Sequence, residues 1–252
     1  MCLILAAWQA HPDFPFVVAA NRDEFFPRRT AGADFWPESP SVLAGRDLEA
    51  GGTWLGISRC GRFAALTNFR DPSSHRDDAP SRGQLVAGFL RGTCGIDAYL
   101  DRLNAGDFNG FNLLLGDGDR LVAFSNVSHE RHELAAGVYG LSNALLDTPW
   151  PKVGAGKTAL ASAMNKLPDE TELFHLLGND TVYPDAALPA TGMPLEWERL
   201  LSAAFIASPG YGTRCSTILK LGADGMASFD EQTWLAGRQA GERRRFRFRI
   251  NR

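Results

Sequence analysis

The chain opens with "MCLILAAW", which places a cysteine directly after the initiator methionine. A small second residue favours removal of that methionine, so we expect the mature chain to begin at Cys2. A terminal cysteine carries a thiol and an α-amine on one residue, and an adjacent base can activate a nucleophile. The α-amine has a usual pKa of about 7.7–8.0, so it can accept the thiol proton at cellular pH. Cys2 is therefore a candidate nucleophile, and the alternative is a small buried strand residue.

Four consecutive polar residues, "NRDE", end a second apolar run and could support such a nucleophile. Side chains alternate between the faces of a strand, so Asn21 and Asp23 share one face while Arg22 and Glu24 share the other. If the first two strands form a hairpin, this end of the second strand lies beside Cys2. The alternative is a solvated strand end with an internal salt bridge.

Three further candidates lie at predicted strand ends. Asparagine amides can donate to a developing oxyanion, which makes Asn68 in "LTNFRD" and Asn143 in "GLSNALLDTP" candidate donors. Both could instead be turn residues, a common place for asparagine. Arg214 opens the strand "TRCST" and by itself indicates little.

Two stretches resemble known binding motifs and are not interpreted as such. The segment "PKVGAGKTAL" has Pro151 where a phosphate-binding loop needs glycine, so nucleotide binding is not predicted. The segment "SHERHE" offers His129 and His132 without an evident third ligand. We therefore predict no metal site.

Hydrophobic runs predict the elements that must position these candidates. Strands are predicted first, then two helices, more strands, more helices and closing strands, with hairpins outnumbering β-α-β units. Residues 27–42 and the polar stretch "RDPSSHRDDAPSRG" are predicted as surface loops, the second a candidate lid. This order indicates an α+β protein with antiparallel sheets and outer helices, in one domain spanning 1–252.

Composition narrows the class of protein. The 252 residues are 44% hydrophobic with a net charge of −3, which allows a core and gives no reason to expect a nucleic-acid partner. The basic segment "GERRRFRFRI" has the alternation of a strand. Four separated cysteines, with no C-x-x-C, suggest a reducing, cytoplasmic setting. We predict neither a signal peptide nor a transmembrane segment.

Together, the N-terminal Met-Cys, "ANRDE", "GGTWLG" and "ALTNFRD" resemble the NRDE family, that of transport and Golgi organization protein 2. The resemblance covers the chain nearly end to end. That family in turn resembles the N-terminal nucleophile hydrolases, especially the branch of choloylglycine hydrolase, penicillin acylase and acid ceramidase. The resemblance implies a four-layer αββα sandwich of antiparallel sheets.

The resemblance also implies roles for individual residues. Cys2 would be the nucleophile, supported by Arg22 and Asp23 at the end of the second strand. Asn143 would stabilise the oxyanion, and Arg214 matches an arginine that opens a late strand in the hydrolases.

The hydrolase pattern has Arg, Asn, a spacer and Asp. Matching Asn21 and Asp23 to it leaves Ala20 where the arginine would be, so the register of Arg22 stays open. The expected substrate contacts are Asn21, Glu24, Trp54 and Asn68.

The implied activity is acyl transfer by a cysteine hydrolase or acyltransferase, acting on a small acyl amide or thioester without a required cofactor. The alternative is a non-catalytic protein of the same fold that binds and carries haem, acyl-CoA or another lipid. Aromatic residues near the expected site favour this alternative, although core packing would also explain them. They are Phe25, Phe26, Phe35, Trp36 and Trp54.

Overall fold

The computed structural model describes residues 2–251, so the expected removal of Met1 lies outside the described residues. The strands in chain order are β1 (Cys2–Trp8), β2 (Phe16–Phe25), β3 (Thr30–Trp36), β4 (Ser39–Asp47), β5 (Leu55–Ser58), β6 (Phe63–Asn68), β7 (Phe111–Gly116), β8 (Leu121–Ser125), β9 (Arg131–Glu133), β10 (Gly137–Leu141), β11 (Tyr211–Leu221), β12 (Met226–Leu235) and β13 (Gln239–Arg249). The α-helices are α1 (Gly83–Arg91), α2 (Ile96–Asp101), α3 (Pro151–Met164), α4 (Thr171–Leu177) and α5 (Leu195–Leu200).

The strands form two antiparallel sheets. The first, called sheet A, has the order β10-β1-β2-β11-β12-β13, and the second, sheet B, runs from β3 to β9 in chain order. The predicted hairpin of β1 and β2 is confirmed, with Cys2 opposite Arg22 and Trp8 opposite Phe16. This pairing brings the polar end of β2 beside the start of β1.

Strand β1 is buried along its whole length because both faces of sheet A are covered. Ile4 and Ala6 face sheet B and join the core between the sheets. Leu3 and Leu5 face the other way and pack among residues of α3 and α4. A strand buried on both faces reads as a continuous apolar run, as "CLILAAW" does.

Helices cover the outer faces of both sheets. On sheet B, α1 places Val86 and Phe89 in a core shared with strands β4, β6 and β7. On sheet A, α3 packs against β1 and β10, and α4 packs against β2 and β11. The layers therefore run helix, sheet, sheet, helix, which confirms the predicted αββα sandwich.

Three local predictions were wrong. Residues 27–42, predicted as a loop, contain β3 and the start of β4, because a hairpin with an exposed outer face tolerates polar residues and proline. The helix expected over "LEWERLLSAAFIAS" ends at Leu200, and its remainder is irregular. Strand β9 was not predicted because it has three residues, all of them polar and exposed.

Strand β11 contains a bulge where it pairs with β2. Thr213 lies opposite Asp23 and Cys215 opposite Arg22, which leaves Arg214 as an extra residue between the two pairs. A bulge interrupts the alternation of side chains and re-aims the residues around it.

No helix within residues 2–251 combines the length and apolar character needed to cross a membrane.

Candidate functional site

A cavity of about 620 Å³ opens between the two sheets at the end where β1 begins and β2 ends. Its wall combines residues of both sheets with the segment that precedes α1. Most of the predicted site residues line it, namely Cys2, Arg22, Asp23, Glu24, Trp54, Asn68 and Arg214. Asn21 and Asn143, the other two, are not part of the wall.

Arg22 lies at the centre of a row across sheet A. It is directly opposite Cys2 on one side and Cys215 on the other, and all three side chains face the cavity. Strands are spaced by about 4.8 Å, so the Cα atoms of the two cysteines are roughly 10 Å apart, beyond the limit for a disulfide. The arrangement places one guanidinium between two separate thiols.

Opposing influences act on the Cys2 thiol. Burial raises its pKa above the usual 9.0, because the thiolate loses solvation. The positive charge of Arg22 and a hydrogen bond from the backbone of Asp23 act in the opposite direction. The charge of the Asp23 carboxylate raises the pKa of the thiol, so the end of β2 supplies groups that favour an anionic sulfur at Cys2 and one that opposes it.

The Asp23 carboxyl group is also buried. Burial raises its pKa, while the charge of Lys152 and a hydrogen bond from Thr213 lower it. The Thr213 hydroxyl donates to Asp23 Oδ1 over 2.8 Å. This bond crosses from β2 to β11 at the bulge, so the bulge helps to fix the orientation of Asp23.

Glu24 links the arginines on this side of the wall. Its Oε2 lies 3.7 Å from Arg22 Nη2 and 3.9 Å from Arg28 Nε. Ala20 and Arg22 lie two residues apart on the same face of β2, and Ala20 packs in the core between the sheets. The guanidinium of Arg22 lies on the same face and reaches the cavity.

Arg214 lines the cavity next to Cys215 because of the bulge in β11. Its Nη1 donates to the backbone carbonyls of Phe25 and Arg28, and its Nη2 donates to Thr30. The side chain therefore holds the turn between β2 and β3.

Asn143 lies two residues beyond β10, the strand that pairs with β1. It is buried, and its Nδ2 donates to the backbone carbonyl of Asn68 over 2.8 Å. The neighbouring Ser142 donates to the Cys2 carbonyl. Among the described residues, the bond to Asn68 uses one of the two Nδ2 hydrogens of Asn143. Asn143 itself lies behind the part of the cavity wall that Asn68 forms.

Asn21 points away from the cavity, towards the helices on sheet A. Its Nδ2 donates to the carbonyls of Leu177 and Ala204, each over 2.8 Å, and its Oδ1 accepts from Ser216. The side chain is fully buried. These bonds tie the helical layer to sheet A, which leaves the amide no contact with the cavity.

The motif "GGTWLG" positions Trp54 through a close backbone contact. A Cβ atom at Gly52 would lie 2.4 Å from the carbonyl carbon of Gly83, so only glycine fits there. Thr53 N donates to the Gly83 carbonyl in the same contact. Arg82 directly precedes Gly83 and lines the cavity. It was not predicted as a site residue because it lies in a stretch predicted as a surface loop.

Three more charged residues near the site were not predicted. Lys152 in α3 is buried, and burial lowers the pKa of its ammonium group to about 8. Lysine is disfavoured in the first turn of a helix, and that was the available signal. Arg70 and Glu198 form a buried ion pair, and Arg70 stacks over Trp150.

The aromatic residues do not form the expected rim. Phe35 packs against aromatic rings of β13, and Trp36 is buried against the helical layer of sheet B. Phe25 is 52% exposed and packs edge-to-face against Tyr211. Of these predicted aromatics, only Trp54 lines the cavity.

Residues 1–236 match the family model "Transport and Golgi organisation 2". The transport and Golgi organization protein 2 homolog of Bos taurus is 40% identical over 261 residues, covering 93% of this chain and 94% of the relative. The Homo sapiens homolog is 36% identical over 259 residues, with the same coverage of each chain. The chain belongs to the transport and Golgi organisation 2 family.

Comparison of this chain with solved structures identifies its wider fold. The C2A mutant of conjugated bile acid hydrolase from Clostridium perfringens matches with a TM-score of 0.52 at 10% identity, over 99% of this chain and 98% of that one. An N-acylethanolamine-hydrolyzing acid amidase ortholog from Caenorhabditis elegans matches with a TM-score of 0.51 at 11% identity, over 86% and 92%. The fold is that of the N-terminal nucleophile hydrolases, as the resemblance implied.

Proposed function

We propose that the protein is a cysteine hydrolase or acyltransferase that acts on a small acyl amide or thioester, with Cys2 as the nucleophile once Met1 is removed. The observation that carries the proposal is the position of Cys2 in the cavity wall, directly opposite Arg22. The bile acid hydrolase of the same fold was solved as a C2A mutant, and the second residue here is also a cysteine.

In the proposed reaction, the Cys2 sulfur forms a bond to the carbonyl carbon of the acyl group. The bond from that carbon to the leaving nitrogen or sulfur breaks, and the thiol proton passes through the α-amine of Cys2 to the leaving group. Water, or a second acyl acceptor, then attacks the thioester and releases Cys2. Arg22 favours the attacking thiolate because its charge lowers the pKa of the Cys2 thiol.

The oxyanion formed in the attack needs hydrogen-bond donors. Asn143 is the candidate donor because it follows β10, the strand that pairs with β1, and the carbonyl of Asn68 uses only one of its two Nδ2 hydrogens. Loss of one such donor costs about 10²–10³ in rate. No step of this scheme requires a cofactor.

The free cysteines support a reducing compartment. Cys2, Cys60, Cys94 and Cys215 are all unpaired with one another. Structural disulfides are rare in the cytosol, where thiols are kept reduced. We therefore propose a cytoplasmic location for this activity.

Intact mass spectrometry tests the proposal. Purified protein is weighed before and after incubation with N-acyl amides and acyl thioesters, and peptide mapping locates any adduct. We expect a chain without Met1 and a transient acyl adduct on Cys2. Cys2→Ala should abolish the adduct, Asn143→Ala should slow its formation about 10²–10³-fold, and the control Cys60→Ala should leave it unchanged. A retained Met1, or a Cys2 that never acylates, contradicts the proposal.

A second candidate function is binding without turnover, with haem, acyl-CoA or another lipid as the ligand. The observation that favours it is the burial of Cys2, which raises the pKa of the thiol and keeps it protonated at neutral pH. In that case a micromolar concentration of haem or acyl-CoA should raise the melting temperature. The shift should persist in Cys2→Ala, whereas its absence with both ligands contradicts this candidate.

A further inference from the structure

We infer that Arg82 forms a site in the cavity for a negatively charged group of the ligand, a carboxylate or a phosphate. The identity of that ligand as the acyl substrate rests on the proposed function. The charge preference rests on the cavity wall alone.

The guanidinium of Arg82 has most of its donors unused. An arginine carries five N–H donors, and within residues 2–251 Arg82 makes one side-chain hydrogen bond, from Nη1 to the Gly110 carbonyl over 2.9 Å. No carboxylate of those residues lies within ion-pair distance of it. The side chain is nevertheless part of the cavity wall, so its remaining donors are available to a bound molecule.

The carboxylates of the same wall already have partners. They are therefore poorly placed to neutralise Arg82. The pairs are Asp23 with the Thr213 hydroxyl at 2.8 Å, Asp47 with Arg28 at 2.7 Å, Glu24 with Arg22 at 3.7 Å, Asp77 with His75 at 3.2 Å, Glu242 with Arg244 at 2.9 Å, and Glu231 with the backbone N–H of Ala33 at 2.6 Å.

Two other arginines of the wall bond to the backbone. Arg76 donates to the carbonyls of Gly106 and Asp107, and Arg214 holds the turn after β2. Arg82, like Arg22, makes no hydrogen bond to a carboxylate and is held to a loop by no more than one bond. A guanidinium with free donors matches the two oxygens of a carboxylate or phosphate.

Partial burial increases what Arg82 gains from a bound anion. Burial lowers the pKa of Arg82, because its positive charge is poorly solvated, and the charges of a Cys2 thiolate and of Glu24 act in the opposite direction. A bound anion would relieve this loss of solvation. Since Arg82 and Cys2 line one cavity and are close enough to influence each other, the anionic group would lie near the reacting sulfur.

Alkylation of Cys2 tests the charge preference without requiring enzyme activity. Iodoacetate is an anion and iodoacetamide is its neutral counterpart. The rate with iodoacetate divided by the rate with iodoacetamide at Cys2 therefore reports the local charge. The exposed Cys60 provides a reference ratio in the same chain. We expect the ratio at Cys2 to exceed that at Cys60 and to fall roughly fivefold in Arg82→Met. Arg82→Lys, which keeps the charge, and the surface control Arg102→Met should both retain the wild-type ratio at Cys2.

Melting temperatures with inorganic phosphate and with succinate provide a second measurement and distinguish the two kinds of anion. Stabilisation by either ion that is lost in Arg82→Met but kept in Arg102→Met supports the inference and names the preferred group. An unchanged alkylation ratio together with no Arg82-dependent stabilisation overturns it. If the anion preference depends on Arg82 but no acyl adduct forms on Cys2, the inference stands and only the proposed function is contradicted.

Discussion

The two faces of β2 use the same polar segment in different ways. On the face towards the helices, Asn21 makes three hydrogen bonds to β11, α4 and the segment after α5. On the face towards the cavity, the side chain of Arg22 makes no hydrogen bond within residues 2–251 and has its carboxylate partner, Glu24, at 3.7 Å. One face is therefore internally satisfied, whereas the other retains donors for a ligand.

The difference offers a physical criterion for separating architecture from function. A buried polar group with all its bonds made stabilises the fold, and removing it leaves its partners unsatisfied. A polar group with unused donors at a cavity adds little to stability and can bind something else. By this criterion, substitutions on the helical face should act on stability and those on the cavity face on chemistry.

The largest effect on stability is expected for Asn21→Ala. The substitution removes three buried hydrogen bonds, which deprives two carbonyls of this donor and the Ser216 hydroxyl of its acceptor, and should lower the free energy of unfolding by about 3–5 kcal/mol. Urea denaturation measures the change, and Asn104→Ala, at an exposed asparagine, is the control. A loss below about 1 kcal/mol would show that the helical face is not the architectural one.

Lys152→Met should produce an effect of comparable size that depends on pH. The folded-state pKa of Lys152 is about 8 and its usual value is 10.5. Between these values the unfolded chain binds a proton that the folded chain has lost, so unfolding becomes harder as the pH rises.

Relative to Lys152→Met, the wild type should therefore gain about 3 kcal/mol in free energy of unfolding between pH 8 and 10.5. Denaturation series at several pH values measure the gain, and Lys166→Met, at an exposed lysine, should follow the wild type. Parallel curves for wild type and Lys152→Met would mean that Lys152 titrates normally.

The smallest effect on stability is expected on the cavity face, for Glu24→Gln. Its contacts with Arg22 and Arg28 are long, at 3.7 and 3.9 Å, and such pairs contribute about 0–1 kcal/mol. The same substitution removes a negative charge near Cys2 and should speed alkylation of Cys2 by iodoacetate. A destabilisation above 2 kcal/mol without change in alkylation would place Glu24 with the architectural residues.

The layered fold was predictable because its signals are local. The apolar run of β1, its hairpin with β2 and the helical spacing in α1 each follow from the period of the side chains. The hairpin of β3 and β4 was missed because shifts in its register break the alternation of polar and apolar residues along the strands. The family resemblance was confirmed over nearly the whole chain.

The candidate site was predictable only in part. The register of β1 and β2 was enough to bring Cys2 to Arg22, but it could not show that Asn21 faces the helices. Arg82 and Lys152 reach the site through packing between segments distant in sequence, which no local period encodes. Such residues are visible only when the charges and their partners are placed in three dimensions.

The extra residue in β11 has a consequence for comparing relatives. Arg214 is the extra residue between two stretches of β11, so the alternation of side chains between the two faces shifts by one residue there. Thr213 lies opposite Asp23 and Cys215 lies opposite Arg22. A relative shorter by one residue here would lose that phase change, and one of these pairings would turn to the opposite face. A gap at this position in an alignment therefore signals a rebuilt cavity wall and not a shortened strand.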